Sequence, residues 1–136
     1  MKAFKSAVVI WALLPLLTGL MDIVVGPSAW RNIGVDIGDS AFGDSVLDSQ
    51  IRFVGTVWFG YGVLLLVCLK DLTKYAAILQ GAFFIVFLGG LARVLSILSV
   101  GMPASSMGSG FIVFALVIEL IIMPLLMFWF HRLNKK

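Results

Sequence analysis

The chain has 136 residues, of which 61% are hydrophobic and 12% charged, with a formal net charge of +3; its mean hydropathy is +1.10. A soluble globular domain is nearer half apolar and a quarter charged, so this composition excludes a disordered chain and a soluble nucleic-acid binder. With Cys68 as its one cysteine it also excludes a disulfide scaffold, and what remains is a single domain dissolved in lipid.

The first apolar stretch runs over residues 6–25 behind Lys2 and Lys5. That arrangement has the character of a signal peptide. However, the best small-residue site, Pro27-Ser28-Ala29, puts proline at the −3 position, and Asp22 interrupts the region before it, so an uncleaved span is expected. Residues 27–46 form the one long connection, with Arg31, Asp36, Asp39 and Asp44, and with Trp30 and Phe42 suited to a membrane interface. Asp44 or Ser45 can cap the second stretch, residues 47–69, and Ser45 with Asp48 is a weak acidic capping box. Lys70-Asp71-Leu72-Thr73-Lys74 leads to the third stretch, residues 75–100. The uncharged connection 101–109 leads to the fourth, residues 110–130, whose end at Trp129, Phe130 and His131 suits an interface. Each stretch meets the roughly 20 residues that a bilayer crossing needs, and only helices satisfy their own backbone in lipid. The expected fold class is all-α, a four-helix transmembrane bundle.

Lys2, Lys5, Lys70, Lys74, Arg132, Lys135 and Lys136 fall on one side of such a bundle, and Arg31 alone falls in a connection on the other. The positive-inside rule then puts both termini in the cytoplasm. Thr56 with Gly60 and Ala77 with Gly81 are small residues four apart, extended by Gly55, Gly62, Gly89 and Gly90. Such faces let helices approach closely, and Gly89-Gly90 also leaves room for a ligand or a kink beside Arg93.

Function should show where charge lies inside the spans, because a charge at the bilayer centre costs about 2.5–3.5 kcal/mol on insertion scales and needs a partner or water. Four groups qualify, one per helix: Asp22, Arg52, Arg93 and Glu119. At about 1.5 Å of rise per residue they lie roughly 5, 6, 10 and 13 Å inside the outer helix ends. One outward-facing network is therefore expected. Arg93 with Glu119 is its deep pair and Asp22 with Arg52 its shallow pair. Asp48, at i−4, competes for Arg52, and Gln50, Ser96 and Ser99 supply hydrogen bonds.

Catalysis is disfavoured. His131 is the one histidine and sits at the cytoplasmic end, no metal-ligand spacing occurs, and no phosphate loop is present. No catalytic residue, metal or cofactor is assigned, and Cys68 reads as a small buried apolar residue. The favoured reading is a polar pocket for a small amphipathic ligand, a lipid or a protein partner. In it Arg52 and Arg93 hold an anionic or carbonyl group, Glu119 orients Arg93, and residues 27–46 act as a lid. The alternatives are a small proton-coupled transporter using Glu119, or a structural or accessory subunit whose charges only fix the fold. Expected partners are membrane lipids and a second copy or another membrane protein, with no nucleic acid.

Four motifs carry a family resemblance: Asp48-Ser49-Gln50-Ile51-Arg52-Phe53 followed by Gly55, Gly89-Gly90-Leu91-Ala92-Arg93 with Ser96, Gly101-x-Pro103, and Glu119-Leu120 with Pro124. Together they resemble the bacterial four-span membrane family catalogued as domain of unknown function 4345, from the first span to about Trp129. The resemblance implies a small integral membrane protein of a bacterial cytoplasmic (inner) membrane, with Arg52, Arg93 and Glu119 as its signature polar residues. It implies no established activity.

Overall fold

The structure, a computed structural model, describes residues 1–35 and 37–134. Asp36, Lys135 and Lys136, used above for loop charge and orientation, lie outside the described residues. Among the described residues every regular element is helical: α1 (Lys2–Val25), α2 (Pro27–Arg31), a 3-10 turn (Asp39–Gly43), α3 (Ser45–Cys68) and α4 (Ala76–Val100), then α5 (Ser106–Val117), a π turn (Ile118–Ile122) and α6 (Met123–Asn134). The last three run on as one helix of 29 residues, and four helices in all are long and apolar enough to cross a membrane. The chain is a multi-pass membrane protein with the four long apolar helices that a four-helix bundle requires. Many large apolar side chains in these helices are open at the surface, among them Ile10, Leu17, Ile85, Leu95 and Leu98, a distribution suited to a lipid solvent.

Helix limits follow local chemistry. Asp44 Oδ1 accepts from the Val46 and Leu47 N–H groups at 2.9 and 3.0 Å, so the expected acidic cap does start α3. Asp71 Oδ1 accepts from the Thr73 and Lys74 N–H groups and shapes the short connection before α4. The fourth span starts at Ser106, four residues before the expected 110, because Ser105 Oγ accepts from Gly108 N–H at 3.1 Å.

The chain divides into two compact units, Ser6–Val67 and Met1–Lys5 with Cys68–Lys136. In the first, α1 and α3 meet at glycines. A Cβ on Gly19 would stand 2.6 Å from Phe59 N, one on Gly55 2.5 Å from Asp22 Cβ, and one on Gly62 2.7 Å from Leu16 Cγ. Further along, Trp58 stacks on Tyr61 with centroids 5.1 Å apart, and Trp11 meets both edge-on. Trp11 Nε1 donates to Tyr61 Oη at 3.1 Å and Trp58 Nε1 to Thr18 Oγ1 at 2.9 Å, so neither indole N–H is left bare in lipid.

In the second unit, α4 packs on α5, the π turn and α6. Phe4 stacks on Phe130 and meets Trp129 edge-on, Lys5 Nζ donates to Leu69 O at 2.8 Å, and Gln80 Nε2 donates to Met127 O at 3.2 Å. Gly90 is closed off by Leu120 and by the Glu119 Cβ. The small-residue expectation therefore divides. Gly55, Gly62 and Gly90 sit at helix contacts, whereas a Cβ on Gly60, Gly81 or Gly89 would meet nothing within 4 Å. The i, i+4 spacing marked small residues without telling which way they face.

Candidate functional site

In the unit Ser6–Val67, the polar residues gather where α1 ends. Gly26, at φ 65°, turns the chain out of α1 while its N–H donates to Asp22 O at 3.0 Å, the glycine stop of a helix C-terminus. The carbonyls of a helix's last turn have no partner within the helix, and Arg52 of α3 supplies one from outside. Its Nη1 donates to Ile23 O, and more loosely to Val24 O at 3.4 Å. Its Nε and Nη2 donate to the two carboxylate oxygens of Asp48 at 2.8 and 3.1 Å. The favourable charge of a guanidinium at the negative end of α1 adds to those bonds. A Cβ on Gly26 would come within 2.8 Å of Asp48 Oδ1 and 3.0 Å of Arg52 Nη2. Glycine is thus required there twice, by conformation and by space.

The expected Asp22–Arg52 pair is not formed. Arg52 belongs to Asp48, which precedes it by one turn on the same helix, and Asp22 Oδ1 instead accepts from Trp30 Nε1 at 3.0 Å. The local i, i+4 geometry wins because it orders one helix face rather than two segments. Trp30 reaches Asp22 because Gly26 and Pro27 reverse the chain directly into α2. Gln50 and Ser96, expected to add hydrogen bonds, make none with their side chains among the described residues, and Ser99 Oγ returns to Leu95 O of its own helix. Gln50 instead lines a groove of about 360 Å3 with Trp30, Val35, Ile37, Leu47, Ile51 and Val54, whose walls are apolar. Over the same connection, Arg31 Nη2 donates to Ile37 O and Asp39 Oδ1 at 2.7 and 2.9 Å and lies over the Phe42 ring, which ties Arg31 to Ile37, Asp39 and Phe42.

In the second unit, Arg93 and Glu119 form the expected deep pair. The single Nε–H of Arg93 is shared between both Glu119 oxygens, at 3.0 and 2.9 Å. Glu119 is 8% exposed, whereas the Arg93 side chain is 39% exposed. The Arg93 guanidinium carbon stands 5.5 Å from the centroid of the Phe111 ring, inside cation–π range. Among the described residues, neither Nη1 nor Nη2 of Arg93 makes a hydrogen bond, which leaves four N–H groups unspent. One turn before Arg93, Gly89 opens onto free space.

The backbone under Glu119 is unusual. The π turn Ile118–Ile122 contains it, and Met123 N–H donates to Ile118 O, five residues back. In that register the next donor, to Glu119 O, would come from residue 124, which is proline and has no N–H. Single π turns inside α-helices recur at functional sites. Glu119 lies thirteen residues into a helix that starts at Ser106, about 20 Å along it. That is deeper than the reading that began the span at residue 110, and it puts the acid near mid-helix.

Sequence reasoning missed Trp30, the carbonyls of Ile23 and Val24, Phe111 and the π turn. A signal existed for two of them. Gly26-Pro27 after a span end forecasts a tight reversal that brings Trp30 back, and a proline five residues after Glu119 forecasts a broken register.

A family model described as Domain of unknown function (DUF4345) matches residues 3–130. No curated protein and no solved structure matches the chain. Since the match runs from the first turn of α1 to Phe130 in α6 and takes in the Arg31–Asp39, Arg52–Asp48 and Arg93–Glu119 ion pairs, the chain belongs to the DUF4345 family.

Proposed function

We propose that this protein is a non-catalytic binding protein of a bacterial inner membrane, with both termini cytoplasmic, and that Arg93 receives the acceptor-bearing head of a small amphipathic molecule or lipid. One observation carries the reading. Arg93 spends only its Nε–H on Glu119 and keeps both Nη groups free of protein acceptors among the described residues, at a half-exposed position inside a span. Unused donors in lipid are unfavourable, and a ligand or a lipid head relieves them. Glu119 fixes the guanidinium plane, Phe111 backs it, and Gly89 keeps space beside it. Arg52 drops out of the ligand-holding set, because all three of its nitrogens are engaged by Asp48 and the end of α1. Orientation is supported by Lys2, Lys5, Lys70, Lys74 and Arg132 against Arg31. Reporters placed after residue 74 and within the 101–105 connection check it from opposite faces.

The binding test is mass spectrometry of protein released from mild detergent. Wild type is expected to carry a molecule that Arg93→Gln does not and that Ser96→Ala still does. Identical contents in all three would remove the reading. A second reading, proton-coupled transport through Glu119, draws support from the π turn, since a register irregularity under an intramembrane acid is where a helix can rearrange. Its test is a pH-driven flux in proteoliposomes that disappears in Glu119→Gln.

A further inference from the structure

We propose that the Arg93–Glu119 pair takes up an oxyanion together with one proton, the proton settling on Glu119. The inference rests on the binding reading above and adds the chemical class of the ligand and its stoichiometry.

The donor geometry comes first. Glu119 meets Arg93 at Nε alone, so the forward edge of the guanidinium, Nη1 with Nη2, is open. Two parallel N–H donors on a rigid plane match two oxygens of a carboxylate, phosphate or sulfonate, the bidentate pairing for which arginine is suited. A lone carbonyl uses half of it.

Charge comes second. Arg93 and Glu119 sum to zero. Of the elements packed against the π turn, α4 carries Arg93 as its one charged residue, α5 carries none, and α6 carries His131 and Arg132. His131 lies twelve residues beyond Glu119, about 18 Å along the helix. No second cation on these elements offsets an arriving anion. An oxyanion on the Nη edge would therefore sit beside the Glu119 carboxylate with one positive charge between two negative ones, inside a span where unbalanced charge is disfavoured. A proton from the aqueous side restores neutrality. One O–H bond forms on Glu119, the carboxylate becomes a carboxylic acid, and the oxyanion accepts from Nη1 and Nη2; no other bond changes.

The shared chemistry is the oxyanion. It can arrive as a lipid-like amphiphile from the bilayer or as a small organic acid from water. Titration calorimetry of the full chain in dodecyl maltoside micelles separates these with three probes: dodecylsulfonate at low mole fraction, methanesulfonate, and the uncharged methyl dodecyl sulfone. Sulfonates stay ionised across the working range, so a pH dependence belongs to the protein. Repeating each titration in buffers of different ionisation enthalpy counts protons on the wild type, which decides the matter even where a variant does not fold. One proton is expected per sulfonate, with affinity falling about tenfold for each pH unit of increase. Glu119→Gln should bind sulfonate with no proton uptake and no pH slope, and Arg93→Gln should not bind it. Proton-coupled binding by methanesulfonate as well assigns a water-borne acid, and by dodecylsulfonate alone an amphiphile; both support the inference. Sulfonate binding without proton uptake, or a sulfone that binds as tightly, overturns it while leaving Arg93 as a hydrogen-bond donor site. Failure of all three probes overturns the binding reading and this inference with it.

Discussion

Arg52 and Arg93 look alike in the sequence: each is the lone arginine of an apolar helix, and each has an acid within reach. Their surroundings part them. Arg52 distributes Nε, Nη1 and Nη2 over Asp48 and the end of α1. Arg93 gives one N–H to Glu119 and holds the rest in reserve. What separates a clamp from a receptor here is the count of donors already spent, not the presence of charge. The helix contacts differ in the same sense. Gly19 and Gly55 let α1 and α3 touch backbone to backbone where Asp22 and Arg52 sit, whereas Gly89 beside Arg93 faces open space.

That contrast is breakable, and the largest effect is expected at the close contact. Gly55→Val puts side-chain atoms into Asp22 and Gly19, and overpacking of this kind should lower stability by about 3 kcal/mol, read as the denaturant unfolding midpoint in micelles. At the ion pairs, Arg93→Gln should reduce retained ligand by about tenfold or more, as expected for loss of hydrogen bonds to a charged donor, with a modest loss of stability. Arg52→Gln should do the reverse, lowering the unfolding midpoint and leaving ligand retention intact. If both substitutions act on the same readout, the distinction between the two arginines fails. Replacing Arg93 and Glu119 together by leucine should restore stability to near wild type while abolishing binding, since removing both members of an ion pair avoids a stranded charge. In the Ser6–Val67 unit, Trp58→Phe deletes the bond to Thr18 and should cost about 0.6–1 kcal/mol, the range for hydrogen bonds between membrane helices. The smallest change is expected at Gly89→Ala. With nothing within 4 Å, it should stabilise α4 by less than about 1 kcal/mol through helix propensity alone.

Much of the architecture was legible because lipid restricts what a backbone can do. Four long apolar runs have one structural solution, and Asp44 before an apolar run marks a helix start by its side-chain chemistry. The Arg93–Glu119 pair was legible too, since a charge deep in each of two helices joined by a short connection has few other partners. The shallow pairing was misread. Asp48 lies on the same helix face as Arg52, and that local geometry outcompeted Asp22, whose partner Trp30 depends on a chain reversal at Gly26. The glycine faces were half legible. Spacing of four puts two residues on one side of a helix but does not say whether that side meets a neighbour. The groove lined by Trp30, Val35, Ile37 and Leu47 depends on Arg31 reaching Ile37 O and Asp39, and no periodicity announces such contacts.

The five-residue register at Ile118–Ile122 has a consequence for inheritance and for engineering. An α-helix turns about 100° per residue, so the π turn accommodates one residue more than α pitch would. Deleting a single residue there would remove that extra residue, although Pro124 would still withhold one backbone donor. The face formed by Met123, Leu126 and Phe130, all buried in the native fold, would keep its place, and Glu119 alone would lose the widened backbone that carries it. Such a shortened chain would be a helix without its receptor: a scaffold from which the binding property has been excised.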